Sequence, residues 1–147
     1  MVLLLAGGGG FTRREGLGRI NNRMKNVPGA AKVRYTPSRL RPRTVLAEVA
    51  IEMFLGDAFP RQQGKLAVLW RLRDGTDVQR VQWTDDVVSL GWHKDRDHPD
   101  LGTTHFQLES GGEVVHEPGR IEVKAPLSFL ERCLDRLPEK LRQRAEY

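Results

Sequence analysis

Cysteine is almost absent from this chain of 147 residues: Cys133 is the only one. That excludes an internal disulfide framework and any iron–sulfur or multi-cysteine zinc site. Long apolar runs are missing as well. None approaches the roughly 20 residues that a bilayer-crossing helix needs. Apolar residues make up only 39% of the chain, a low share that leaves part of the sequence outside a core. Nucleotide-binding glycine motifs are also lacking. Gly7–Gly10 is followed by Phe11-Thr12-Arg13, with neither the Lys-Ser/Thr of a phosphate loop nor the G-x-G-x-x-G spacing of a dinucleotide fold, and reads as a flexible spacer. Val2–Ala6 is apolar, but it is too short for a secretory h-region and no basic residue precedes it.

Acidic side chains are scarce at one end. Residues 1–43 hold ten basic groups against one acid, Glu15, whereas the rest of the chain holds 14 basic and 18 acidic groups, for an overall formal charge of +5. A basic segment on a mildly acidic body suits contact with nucleic acid, because arginine forks match phosphate oxygens and counterion release drives the binding. Arg13, Arg14, Arg19, Arg23, Arg34, Arg39, Arg41 and Arg43 are the candidate phosphate contacts. The same segment is rich in Asn, Gly and Pro and poor in apolar residues, which predicts a flexible arm over 1–43 and a folded domain over 44–147. A purely solubilising tail, or one that docks on the acidic body, is the plainer reading of these charges. Met24 is an alternative start.

From Thr44 the pattern becomes β. Thr44–Leu55 fits a strand and a helical stripe equally well, and its neighbours favour strand. Leu66–Leu72 and Thr76–Trp83 flank Asp74-Gly75, a pair preferred in two-residue hairpin loops. That loop opposes Leu66 to Trp83, Val68 to Val81 and Trp70 to Gln79, so one face collects the apolar residues. Val87–Trp92 reads as a further strand. Gly111-Gly112 joins Thr104–Glu109 to Glu113–Glu117, with Leu108 opposite Val115 and Gln107 opposite His116. Arg120–Lys124 alternates as a last strand. Ser128 and Glu131 form a capping box for a helix carrying Phe129, Leu130, Cys133, Leu134 and Leu137, which Pro138 is expected to end. The expected fold is α+β: a mainly antiparallel sheet of five or six strands, one C-terminal helix and the basic arm. Cys133 and Trp92 read as core residues.

Chemistry concentrates in Gly91–Phe106, GWHKDRDHPDLGTTHF, which holds His93, His98 and His105 with Asp95, Asp97 and Asp100. The hairpin register returns the fourth histidine, His116, beside them. Paired imidazoles titrate near neutral pH and suit acid–base work on a ribose 2′-hydroxyl and its phosphodiester. His93, His98, His105 and His116 are therefore the catalytic candidates, and Lys94, Arg96 or Arg80 would offset phosphate charge. A second chemistry open to the same segment is a divalent metal held by His and Asp that activates water, but the H-x4-H-x6-H spacing fits no standard metal motif, so neither a metal nor another cofactor is expected. An ordinary Asp- and Pro-rich surface loop is the competing explanation.

Trp92-His93-Lys94-Asp95, His98-Pro99-Asp100-Leu101 and Thr104-His105, followed by a terminal helix, resemble the histidine-rich block of TumE-type toxin proteins over about residues 64–137. Those are small prokaryotic proteins encoded beside an antitoxin. This sequence departs from their pattern in having a single histidine at 105, followed by Phe106-Gln107. The resemblance implies an intracellular, toxin-like protein that acts on RNA in the cytoplasm with an antitoxin protein as partner, and the lack of a bilayer-length apolar run predicts no membrane association. The expected function is thus RNA-directed, of the ribonuclease-like toxin type. The alternatives are a non-enzymatic module that binds nucleic acid or an acidic protein, and a small structural subunit.

Overall fold

Residues of alternating burial, clearest in Thr44–Ala50, mark the strands that lay the backbone after Thr44 out as one sheet. A computed structural model describes the backbone of residues 8–37, 43–56, 63–73 and 76–143, and the side chains of 14–37, 43–56, 63–71 and 77–143. Helix α1 (Gly8–Lys25) leads into strands β1 (Ala30–Thr36) and β2 (Thr44–Ala50). Helix α2 (Ile51–Leu55) follows, then strands β3 (Gln63–Arg73), β4 (Thr76–Thr84), β5 (Val88–Lys94), β6 (Thr104–Ser110) and β7 (Glu113–Pro118), and finally helix α3 (Pro126–Gln143). The seven strands pair antiparallel in chain order, β1 to β7, as an open meander.

The α+β class and the two hairpin registers agree with the sequence expectation. Leu66 opposes Trp83 and Val68 opposes Val81 in β3–β4, and Leu108 opposes Val115 in β6–β7. The Asp74-Gly75 loop lies outside the described residues. Gly111 and Gly112 both take positive φ, 60° and 84°, the pair of angles that a two-residue turn between twisted strands requires. One face of the sheet carries Val45, Val49, Leu66, Val81, Trp83, Leu90, Trp92 and Phe106, all buried in a single core with the apolar sides of the helices.

Seven strands replace the expected five or six because residues 30–36 belong to the sheet. The described part of the segment expected to be a flexible arm is not an arm. Leu17, Ile20 and Met24 recur at three- and four-residue spacing on α1 and are fully buried, and Val27 follows them into the core. Burial of each such side chain contributes roughly 1.5–3 kcal/mol, enough to offset the poor helix propensity of the surrounding Gly and Asn. Gly16 is itself required, since a Cβ there would run into the Trp70 ring. Arg23 ties α1 to α3 by an ion pair with Glu131. The domain therefore extends across the expected boundary at 43/44. Of the proposed Gly7–Gly10 spacer, Gly8–Gly10 are helical, while Met1–Gly7 lie outside the described residues.

Three local expectations also change. Thr44–Leu55 is a strand only to Ala50. The turn of α2 then keeps Ile51 and Leu55 buried while Met53 stands 65% exposed, and Gly56 closes it with φ 76° and an N–H bonded to the Glu52 carbonyl. Residues 120–124 make no ladder. Their carbonyls are taken by side chains instead: Thr104 Oγ1 donates to Ile121, Lys94 Nζ to Val123 and Gln79 Nε2 to Lys124. Helix α3 begins at Pro126, ahead of the capping box, and Glu131 faces Arg23 rather than the helix start. It also runs through Pro138, because continuing the helix buries Leu141 completely. Cys133 is buried among the α3 leucines, and that burial raises its thiol pKa, as expected of a core residue. No helix among the described residues is long and apolar enough to cross a membrane.

Candidate functional site

On β5 the core face takes Val88, Leu90 and Trp92, so His93 points to the other side of the sheet. β6 repeats the arrangement: Phe106 and Leu108 face the core and His105 faces away, directly opposite His93. On β7 His116 pairs with Gln107, which places its ring on the same face as that of His105. The fourth imidazole arrives on the β5–β6 loop. Asp95 accepts the Asp97 N–H on Oδ1 at 3.0 Å, turning the chain as soon as β5 ends. A single 3₁₀ turn, Pro99–Leu101, follows, with the Leu101 N–H on the His98 carbonyl. Gly102, at φ 94°, then returns the chain to β6. The loop thereby lays His98 on the sheet.

All four histidines meet. Ring centroids lie 5.0 Å apart for His93–His105, 4.5 Å for His98–His105, 4.2 Å for the stacked pair His98–His116, and 5.6 Å for His105–His116. His105 is 3% exposed, whereas His116 is open to solvent. Beneath them the Asp95 side chain is almost completely buried. Its Oδ1 is 3.7 Å from His105 Nδ1 and its Oδ2 is 3.6 Å from the Arg80 guanidinium. His105 Nε2 is buried with no hydrogen-bond partner among the described residues.

His93 is held differently. Its Nε2–H donates to Gln82 Oε1 at 2.6 Å, while the Gln82 amide donates to Ser89 Oγ at 2.7 Å, so the proton of the neutral ring sits on Nε2. Burial, with repulsion from Arg80, His105 and His116, pushes its pKa from 6.5 down to about 4 against the opposing pull of Asp95. Burial lowers the His105 pKa too, helped by His98 and His116, while Asp95 and Gln107 act the other way. Both inner rings are therefore neutral at physiological pH, with nitrogen lone pairs available to a proton or a cation.

The other candidates divide. Of the three cations proposed to offset phosphate charge, only Arg80 lines the cluster. Lys94 points to the core side, where it bonds the Val123 carbonyl, and Arg96 is exposed on the loop. The N-terminal arginines are not gathered at the imidazoles. α1 packs on β1–β3 from the core side, whereas the cluster is on the far face of β5–β7. Arg14, Arg19 and Arg43 are exposed, with Arg19 3.9 Å from Glu15. Arg23 is paired with Glu131, and Arg34 lies 3.8 Å from Glu48. Arg39, Arg41 and the Arg13 side chain lie outside the described residues. Trp92 is buried, its ring 5.1 Å from that of Phe106, and offers no surface for stacking. Gln82 escaped the sequence reading. Carrying the register from β4 across the short turn to β5, where Arg80 opposes His93 and Gln82 opposes Gly91, places both side chains at the cluster.

A second basic feature lies past the end of β7. Arg120, Arg132 and Arg136 line a cleft of about 330 Å³ with Ile121, Glu122 and Val123. Arg120 is two residues beyond Pro118, which pairs with His105 in the sheet. No protein-family model matches the chain, and no curated protein or solved structure matches it either.

Proposed function

We propose that the chain is an RNA-directed protein of the ribonuclease-like toxin type, and that it cleaves a phosphodiester at the imidazole cluster on the open face of the sheet. The observation that carries this reading is the convergence of four imidazoles, from three strands and a loop, around one buried carboxylate and Arg80. Cleavage of RNA needs a proton acceptor for the attacking 2′-oxygen, a proton donor for the departing 5′-oxygen as its bond to phosphorus breaks, and positive charge for the phosphoryl oxygens. One unprotonated imidazole answers the first need, a second imidazole carrying a proton the second, and Arg80 the third. His116 is exposed on the outermost strand and leaves the outer side of the cluster open to a substrate. The likeness of residues 92–105 to the TumE-type block supports the same reading and adds an antitoxin protein as the partner.

The test is cleavage of a structured and an unstructured RNA by the purified chain. We expect scission that is lost in His98→Ala and His116→Ala while the far-UV dichroism and melting temperature stay near wild type. RNA left intact by the wild-type chain, with and without added divalent ions, overturns the proposal. So does undiminished cleavage by both variants. Tight binding of RNA without scission would make the chain a binding module instead.

A further inference from the structure

We propose that His98, His105 and His116 together bind one divalent transition-metal ion of the zinc class, with Asp95 as the carboxylate that orients His105. The inference concerns the cluster on which the RNA reading also rests, but it does not require RNA to be the substrate.

One ligand nitrogen from each of these three rings lies within 4.8 Å of the others. Two nitrogens at 2.0–2.1 Å from a tetrahedral ion are about 3.3 Å apart, so closure asks for at most about 1.5 Å of movement, shared between rings. The residues that must move are those free to do so. His98 sits on a loop, and His116 is on β7, the last strand of the sheet. His105, on β6 between two strands, is the fixed member. Its Nε2 is buried and without a hydrogen-bond partner among the described residues, while its Nδ1 lies 3.7 Å from Asp95 Oδ1. A carboxylate beside one nitrogen of an imidazole favours the proton there and leaves the other nitrogen's lone pair for a metal; a shift of about 0.7 Å would bring the pair to the hydrogen-bond distance usual behind a metal-bound histidine.

The donor set also selects the ion. Three imidazoles without a thiolate suit zinc, copper, nickel or iron rather than the oxygen-seeking magnesium or calcium. Asp95 is a poor direct ligand, because Oδ2 is turned toward Arg80 and Oδ1 already takes the Asp97 N–H. The other close group, His93 with Asp95 and His105, is disfavoured for the same reason and because His93 Nε2 is committed to Gln82. Three protein ligands leave a fourth position on the exposed side, as in catalytic rather than structural zinc sites, and water held there ionises near neutral pH. The linear spacing hides the site, since its ligands come from a loop and two strands.

The experiment uses the full chain without an affinity tag, stripped with chelator and titrated with Zn2+ by calorimetry and with Co2+ by electronic absorption. We expect one ion per chain and the absorption bands of a four-coordinate cobalt site. His98→Ala and His116→Ala should each weaken binding by more than about 100-fold, and Asp95→Asn by about 10–100-fold, while Arg14→Ala changes nothing. Absence of saturable one-to-one binding overturns the proposal, as does wild-type affinity in both histidine variants. RNA cleavage separates the two readings. An ion bound at these residues with RNA left intact keeps the metal site and removes the RNA function. RNA cleavage by a chain that shows no saturable one-to-one ion binding does the reverse.

Discussion

Truncation of Leu17 to alanine separates an integrated N-terminal segment from a loosely attached one. The side chain is fully buried in α1, beside Ile20 and Met24 and over the first three strands. A buried leucine replaced by alanine costs about 2–5 kcal/mol, the value depending on how far the neighbours close on the cavity. Here Ile20, Met24 and the strand residues beneath are held by their own packing, so about 3 kcal/mol is expected. For a chain of this size that corresponds to a fall in melting temperature of roughly 6–12 °C. Urea unfolding gives the cleaner number. The midpoint should drop while the slope stays constant, because the variant exposes nearly the same surface on unfolding. Arg14→Ala, an exposed change on the same helix, should stay within about 0.5 kcal/mol of wild type. A Leu17→Ala loss below about 0.5 kcal/mol would show that α1 does not pack in the core, and the expectation of a flexible arm would be restored.

Four further outcomes follow from the structure. Gly64→Ala should destabilise by about 1–3 kcal/mol in the same unfolding assay, because a Cβ there meets the buried Trp83 ring, which has nowhere to move. Pro138→Ala should stabilise by about 2 kcal/mol, as α3 regains an interior hydrogen-bond donor and loses a ring clash, less the entropy that proline removes from the unfolded chain. For the metal-free protein, acid should destabilise between pH 6.5 and about 4. The folded state refuses His93 a proton that the unfolded chain accepts, so stability is full above 6.5 and falls by up to about 3 kcal/mol as the pH drops to 4; His93→Gln should flatten that part of the curve. If the open face binds RNA, affinity should fall with salt, and Arg80→Gln should shallow the log–log slope by about one, measured by fluorescence anisotropy.

The strands were legible because their signals are local. A period of two and paired glycines between alternating runs place Leu66 opposite Trp83 and Gln107 opposite His116 without reference to the rest of the chain. α1 was not legible for the opposite reason. Its buried stripe of Leu17, Ile20 and Met24 is interrupted by Gly16, Gly18, Asn21 and Asn22, residues that weaken a helix and become tolerable only when the sheet is there to pack against. Pro138 misled in the same way: a local rule ended the helix, and the tertiary gain from Leu141 carried it on. The cluster stands between these cases. Hairpin register brought His105 and His116 together from sequence, whereas the position of His98 depends on the path of the Asp95–Thr103 loop, which no periodicity encodes.

What the cluster costs is itself an argument about its purpose. Asp95 and His105 are buried on a face where the sheet would be more stable with apolar residues, since a polar atom buried without its partner costs about 1–3 kcal/mol. Asp95 Oδ2, Arg80 Nε and His105 Nε2 are all buried without a hydrogen bond among the described residues. Elsewhere in the sheet Trp70 Nε1, Arg71 Nε and Gln79 Oε1 are also buried without such a bond, but they are spread over β3 and β4, whereas three such atoms gather at the cluster. The Arg80 guanidinium and Asp95 Oδ2 face one another at 3.6 Å, which leaves His105 Nε2 as the atom that a bound cation would satisfy. Binding to the folded state alone would then stabilise the protein in proportion to the logarithm of the ion concentration. Saturating Zn2+ should therefore raise the melting temperature of the wild type and leave that of His98→Ala nearly unchanged. A cluster that was only a polar surface would show no difference between the two.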